Sequence, residues 1–229
     1  MFRSFFLSLQ ILILLSFFST SAVYSAGAGI LIYANIDDTQ YLLLADHKQR
    51  KYLNRGWSDL AGTIEEGESA VEAAIREVSE ESNGIYSMEN LQQVVDSRVK
   101  VENNGFTVFF AMSHFQLATH FSNSVVNLKD GVRAERGPFT WIPWSIVTEA
   151  AKEADKLGAD CEANPVEISA EYLPDHSQTN WYFCAFLRTI KIVDEQGGLP
   201  KSAKKLRPLF IGENTTPDLI HHREQSVGP

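Results

Sequence analysis

Gly62-Thr-Ile-Glu-Glu-Gly-Glu68, followed after a seven-residue interval by Arg76-Glu-Val-Ser-Glu-Glu81, reads as G-x5-E-x7-R-E-(apolar)-x-E-E. Ser69 and Glu72 have the spacing of a capping box, so the pattern predicts a helix over residues 70–81. Val71, Ala74, Ile75 and Val78 then fall at i, i+3, i+4 and i+7 and make one apolar face that can pack on a sheet. Glu77, Glu80 and Glu81 are related by steps of three and four, which crowds their carboxylates away from most of that face. Like charges at this spacing destabilise a helix unless something neutralises them. Hard divalent cations with oxygen coordination, Mg2+ above all, are the natural partners. Arg76 lies four residues from both Glu72 and Glu80, so it can orient part of the acidic set by ion pairing. The alternative is a solvated glutamate-rich helix face, and it leaves the fixed spacing of glycine, arginine and acids without a reason.

This pattern resembles the Nudix box. The resemblance extends outward from it: Gly27-Ala-Gly-Ile-Leu-Ile-Tyr33, Tyr41-Leu-Leu-Leu44 and Trp57-Ser-Asp-Leu-Ala-Gly62 are similar to the strands and approach loop that precede the box in Nudix domains. Two positions depart from it. Ala61 stands where many members have the first of two glycines, and Asn83 stands at the closing glycine with Gly84 one place later. Asn tolerates the left-handed conformation better than other non-glycine residues, so Asn83-Gly84 can still end the helix, and a one-residue insertion fits the letters equally well.

Beyond the box, Val94 to Val101 and Phe106 to Phe115 read as strands joined by the turn Asn103-Asn-Gly105. Residues 116–138 read as a long polar connection and Phe139-Thr-Trp-Ile142 as a short strand. A helix is predicted after Pro143-Trp-Ser145, carrying Ile146, Val147, Ala150, Ala154 and Leu157 and stopping at Gly158. This element order implies an α/β fold with a mixed sheet, a Nudix-type α-β-α sandwich over residues 27–158 followed by a C-terminal extension, 159–229. Within the extension, Val166 to Leu173 and Trp181 to Ile192 are expected to form a second hairpin, and the tail is expected to be loosely ordered.

The 229-residue chain is 44% apolar with a formal charge of -9, enough for one generous domain or a core domain with an extension. That acidity argues against general nucleic-acid binding, which needs a basic surface, but leaves room for a small phosphate-rich ligand. Positive residues cluster just before the box at His47, Lys48, Arg50, Lys51 and Arg55, a set that also reads as an ordinary solvated loop. At the N-terminus, Arg3 precedes the apolar run Phe5 to Phe18, and small residues follow at Ser19-Thr-Ser-Ala22 and Ser25-Ala26. Residues 1–26 therefore read as a signal peptide for export to a periplasmic or extracellular space, with a membrane anchor through residues 5–18 as the alternative. Its removal takes away only Arg3, moves the formal charge to -10 and leaves no stable membrane association expected. The two cysteines, Cys161 and Cys184, are naturally read as a disulfide in an exported chain, with two unpaired buried thiols as the alternative.

The resemblance implies Mg2+-dependent hydrolysis of a diphosphate linkage in a nucleoside diphosphate derivative, with Mn2+ as a substitute ion and water attacking phosphorus. By match to the box, Glu77, Glu80 and Glu81 hold the metal, Glu68 and Arg76 position that set, and the backbone carbonyl of Ala61 or Gly62 adds a ligand. The general base comes from the box helix or from a later loop, where Glu135 resembles the loop glutamate of some members. A catalytically inactive nucleotide-binding module is the alternative. Trp57, Phe109 and Trp181 are candidates to stack a base. Substrate identity and oligomeric state have no marker in the sequence.

Overall fold

Strand β1 (Gly27–Ile36) is buried over most of its length, and its side chains divide strictly by parity. Ala28, Ile30, Ile32 and Ala34 enter one apolar cluster, while Leu31 and Tyr33 enter another on the opposite face. A strand covered on both sides must be apolar at both parities, which is why its sequence is a continuous apolar run. This geometry comes from a computed structural model that describes residues 26–47, 55–82, 84–116, 136–201 and 205–206.

Strand β2 (Thr39–His47) pairs antiparallel with the second half of β1, and β4 (Leu60–Thr63) pairs antiparallel with the first half. On the other side of β1, β6 (Phe106–Ser113) runs parallel to it, with β5 (Lys100–Asn103) antiparallel to β6. Strands β3 (Trp57–Ser58) and β7 (Arg136–Pro143) both pair with β2, and β8 (Lys205–Leu206) adds a short parallel pairing to β6. Helices α1 (Ala70–Glu81) and α2 (Met88–Val94) cover one face of this mixed sheet. Helices α3 (Trp144–Leu157) and α4 (Cys184–Glu195) cover the other. The expected α-β-α sandwich is what the chain forms.

Helix α1 begins where the capping box places it. The Glu72 carboxylate accepts the Ser69 backbone N–H at 2.9 Å, and the Ser69 hydroxyl accepts the Glu72 N–H at 3.4 Å. Ala73, Ala74, Ile75 and Val78 are buried against the sheet, with Val71 at the edge of the cluster. At the far end the Gly84 N–H reaches back to the Ser79 carbonyl at 2.8 Å with Gly84 at φ 76°, a conformation available to glycine without a Cβ penalty. Asn83 lies outside the described residues.

Two expected elements are corrected. The strand expected over Val94 to Val101 begins only at Lys100, and Val94 instead closes α2, for which no element was expected: the Ser87 hydroxyl caps this helix by accepting the Asn90 N–H at 3.3 Å, and only Leu91 is buried, so no apolar period announces it. The second hairpin does not form beyond a single antiparallel bridge between Glu167 and Trp181. Residues Cys184–Glu195 are helical instead, because Phe186, Leu187, Ile190 and Val193 share one side at helical spacing and bury it against α3 and the sheet. Truncating Leu187 or Ile190, both fully buried, to alanine would cost about 2–5 kcal/mol, more than the strand propensity of this aromatic and β-branched run can oppose.

Cys161, in a 3-10 turn after α3, is bonded to Cys184 at the start of α4, with a Cα–Cα distance of 6.1 Å. Cross-linking across this span is worth about 3 kcal/mol in the chain-entropy description. The double replacement Cys161→Ser with Cys184→Ser is therefore expected to lower the unfolding free energy by about 3 kcal/mol, read from urea midpoints. Coincident unfolding curves would show that the bond constrains nothing the fold does not already hold.

Candidate active site

Arg76 organises the acids of the box. Its Nε and Nη2 donate to the two oxygens of Glu68, each at 3.0 Å, a planar fork on a planar carboxylate. Its Nη1 donates to Glu77 at 2.9 Å and to Glu80 at 3.4 Å, and Nη2 also donates to the Thr63 carbonyl at 3.0 Å. Glu72, also four residues from Arg76, is not in this set, because its carboxylate is committed to the helix cap. The acids grade from buried to open. Glu81 is 5% exposed and accepts the Ala61 N–H at 2.9 Å, whereas the Glu80 side chain is half exposed.

The register of β4 on β1 decides which backbone oxygens face these acids. The Ile64 N–H donates to the Ala26 carbonyl, so in the antiparallel alternation Ala28 and Gly62 form a hydrogen-bonded pair while Gly29 and Ala61 do not. Gly62 thus has its polar groups in the ladder, and Ala61 and Thr63 point theirs outward toward α1. The bonds from Ala61 N–H to Glu81 and from Arg76 to the Thr63 carbonyl have that phase. Of the two backbone ligands expected, the Ala61 carbonyl is the one directed out of the ladder beside the acids.

Gly62 has a different use. A Cβ there would lie 2.0 to 2.3 Å from the carboxylate atoms of Glu77, so the missing side chain is the space that the Glu77 carboxylate fills. Among the described residues no three His, Cys, Asp or Glu side chains converge on one metal-sized point. The fit to a divalent cation is one of donor chemistry. Glu68, Glu77 and Glu80 share a single guanidinium and Glu81 is held on the Ala61 N–H, which leaves net negative charge and only oxygen donors, the set that hard cations prefer.

Charge and hydrogen bonding shift the titrations in consistent directions. The hydrogen bonds from Arg76 hold Glu68 below its ordinary 4.5, and the same pairing raises Arg76 further above its already high value. The bond from the Ser69 hydroxyl likewise lowers Glu72. A carboxylate with a lowered folded-state pKa contributes stability above its unfolded value and loses it as pH falls through the folded value. Unfolding free energy is thus expected to fall as pH drops below about 4.5, and Glu68→Gln should flatten that slope. Denaturant titrations across that range test it, and an unchanged slope in Glu68→Gln would count against the pairing.

A cleft of about 750 Å3 opens on the α3 and α4 side of the sheet, with Gly62 and Ala61 on its border. His47 and Arg55, from the basic cluster before the box, line it, as do Phe106, Phe183 and Arg188. The His47 Nε2 lies 2.5 Å from the Ser58 hydroxyl, which itself donates to the Asp59 carbonyl at 3.0 Å, so Nε2 carries the proton of that contact. The Arg55 guanidinium carbon is 5.8 Å from the centre of the Phe183 ring. Lys48, Arg50 and Lys51 lie outside the described residues. So does Glu135, and with it the loop candidate for the general base.

The aromatic candidates need correction. Trp57 and Phe109 are 0% and 2% exposed, and the Trp57 indole N–H donates to the Thr179 carbonyl, so both belong to the core and neither can stack a base. Trp181 is half-buried and is not among the residues lining the cleft. Sequence reading missed Phe183 and Arg188, since it placed them in a strand. It also missed Asp46, fully buried at a bulge in β2, whose carboxylate accepts the Gln178 and Thr179 N–H groups at 2.7 and 3.1 Å and the Thr179 hydroxyl at 2.8 Å. Those bonds fix residues 178–179 against β2, next to the cleft-lining His47.

The family profile described as NUDIX domain matches residues 24–160. Among solved structures, a C. elegans Ap4A hydrolase binary complex is 22% identical, aligning over 60% of this chain and 89% of its own with a TM-score of 0.35. A Nudix hydrolase from M. smegmatis, RenU, is 15% identical over 77% of this chain and 90% of its own, TM-score 0.38. The E. coli dihydroneopterin triphosphate pyrophosphohydrolase is 20% identical over 52% and 82%, TM-score 0.31. No curated protein gives a significant match.

Proposed function

This chain belongs to the NUDIX family, and we propose that it is a Mg2+-dependent pyrophosphohydrolase that cleaves the diphosphate linkage of a nucleoside diphosphate derivative. The observation that carries the reading is the arrangement around Arg76. One guanidinium holds Glu68, Glu77 and Glu80 in fixed relation while Glu81 is anchored on Ala61, and the β4 residues that Glu81, Glu77 and Arg76 meet, Ala61, Gly62 and Thr63, line a cleft that also carries Arg55 and Arg188. Glu77, Glu80, Glu81 and the Ala61 carbonyl would hold the cation, with Mn2+ as a substitute. What a divalent cation supplies when bound is an offset to the negative charge of the diphosphate.

The chain's own residues do the rest. The bidentate Glu68 contact stops the guanidinium from rotating, so Arg76 presents Glu77 and Glu80 in one geometry. Burial of Glu81 beside β4 sets its distance from the strand. Attack of water on phosphorus requires a group to accept its proton, and Glu135 is retained for that role by resemblance. The experiment is a turnover screen of nucleotide sugars, dinucleoside polyphosphates, ADP-ribose and nucleoside triphosphates with Mg2+ or Mn2+. Turnover of none, with tight binding of one, would establish the non-catalytic binding module instead.

We also propose that the protein is exported after removal of residues 1–26, which lie almost wholly outside the described region. The Cys161–Cys184 bond supports this, because such bonds persist in oxidising compartments. Intact mass and N-terminal sequencing of protein from its native host test it. A full-length, reduced, cytosolic product would overturn it.

A further inference from the structure

We infer that Asp46 is a positioning residue: its buried carboxylate latches residues 178–183 onto β2 and β3, and that junction sets the cleft wall made by His47, Arg55, Ser58 and Phe183. The latched residues lie beyond the segment 24–160 matched by the family profile, so the latch belongs to this chain's own extension. The inference rests on the reading given above only in taking the cleft to receive a nucleotide.

Burying a charge is unfavourable unless hydrogen bonds replace its water, and Asp46 is 0% exposed. All three bonds that replace it come from the extension. One oxygen accepts the Gln178 and Thr179 N–H groups, and the other accepts the Thr179 hydroxyl. Trp57, which pairs with Asp46 across β2 and β3, ties the same segment again. Its indole N–H donates to the Thr179 carbonyl at 3.0 Å, its backbone N–H donates to the Trp181 carbonyl at 2.9 Å, and its carbonyl accepts the Phe183 N–H at 3.0 Å. Gly56 leaves room for this approach: its φ is 58°, and a Cβ there would lie 2.3 Å from the Trp181 carbonyl oxygen.

The two halves of the wall meet at this junction. His47, Arg55 and Ser58 line the cleft from the sheet side and Phe183 lines it from the extension. The His47 and Phe183 ring centres are 6.4 Å apart, and the Arg55 guanidinium carbon lies 5.8 Å from the Phe183 ring. Phe183 is held in the helix layer by the Cys161–Cys184 bond of its neighbour, so what the latch fixes is the sheet side of the wall against it. The acids of the box lie on the other face of the sheet. Glu81 and Glu77 are placed by Ala61, Gly62 and Arg76, without a contact to Asp46 or to the extension. The latch therefore governs ligand binding in the cleft and leaves cation binding alone.

The test uses the full, disulfide-bonded protein and three variants. Asp46→Ala leaves the Gln178 and Thr179 N–H groups without their acceptor. Asp46→Asn is the conservative rescue, since its amide oxygen can accept both N–H groups while the Thr179 hydroxyl turns to accept from the amide. Gly56→Ala strains the junction from the other side and guards against a folding defect in Asp46→Ala. In Asp46→Ala and Gly56→Ala the dissociation constant of ADP should rise about 10-fold, the equivalent of one net hydrogen bond, and that of Mg2+ should stay within about twofold. The proton resonance of the Trp57 indole N–H should shift in both, while that of Trp141, bonded to Gln116, should not. Asp46→Asn should match the unaltered protein in every readout. A general loosening would weaken Mg2+ and move the Trp141 resonance too, and that pattern would overturn the assignment. So would ADP affinity unchanged in Asp46→Ala, or an Asp46→Asn protein as impaired as Asp46→Ala. Unaltered protein that binds Mg2+ but not ADP would remove the nucleotide reading instead, and the Trp57 resonance would still decide whether Asp46 positions the wall.

Discussion

Glu81→Gln is expected to lower turnover at least about 100-fold while leaving the protein folded, because loss of one anionic ligand from a metal site removes several kcal/mol of charge stabilisation. The two halves of this expectation come from one geometry. The Glu81 carboxylate is 5% exposed and accepts the Ala61 N–H at 2.9 Å, and a glutamine amide oxygen can accept the same bond with the same length of side chain. The substitution therefore keeps the link between α1 and β4 and removes only the negative charge. Glu80→Gln makes a useful companion, since its side chain is half exposed and its contact to Arg76 is long at 3.4 Å, so its stability cost is near zero. Kinetics with Mg2+, calorimetric titration of the ion and urea unfolding of the same samples separate the effects. Full turnover in Glu81→Gln would remove that carboxylate from the site.

How far the letters carried this reading depends on how local each determinant is. Ser69 and Glu72 cap α1 through contacts three residues apart, and the burial of Ala74, Ile75 and Val78 repeats with the helical period, so both were legible. The partners of Arg76 were half legible. Spacing along the helix pointed to Glu72 and Glu80, but the strongest contact goes to Glu68, which reaches Arg76 across the turn before the helix. Helix α4 was misread because the run from Trp181 to Ile192 is rich in aromatic and β-branched residues, and its period emerges only when Val193 is included. Helix α2 buries one side chain, Leu91, and has no period to find. Asp46 has no signal of its own in the sequence. Its burial is created by Gln178 and Thr179, 132 and 133 residues further along, and no local pattern encodes a contact at that separation.

Gly62→Ala should separate activity from stability, and it addresses the one position where the box demands an absent side chain. The added Cβ would lie 2.0 to 2.3 Å from the Glu77 carboxylate, so one of the two must move. The backbone of Gly62 is held in the ladder with Ala28, whereas the carboxylate is the free end of a flexible side chain, so the carboxylate yields. Alanine needs no unusual backbone angle in this strand, and the expected loss of stability is only about 1 kcal/mol, from rearranging the Glu77 contact with Arg76. Activity should respond far more, because a shift of about 1 Å in a positioning group can cost on the order of 100-fold. The double variant Gly62→Ala with Glu77→Gln is the control: once the carboxylate has been displaced, neutralising it should add little, so the two losses should be strongly non-additive. Additive losses would mean that Gly62 acts through something other than Glu77. A Gly62→Ala protein with unaltered kcat/KM would mean that the position of Glu77 against β4 has no part in the reaction.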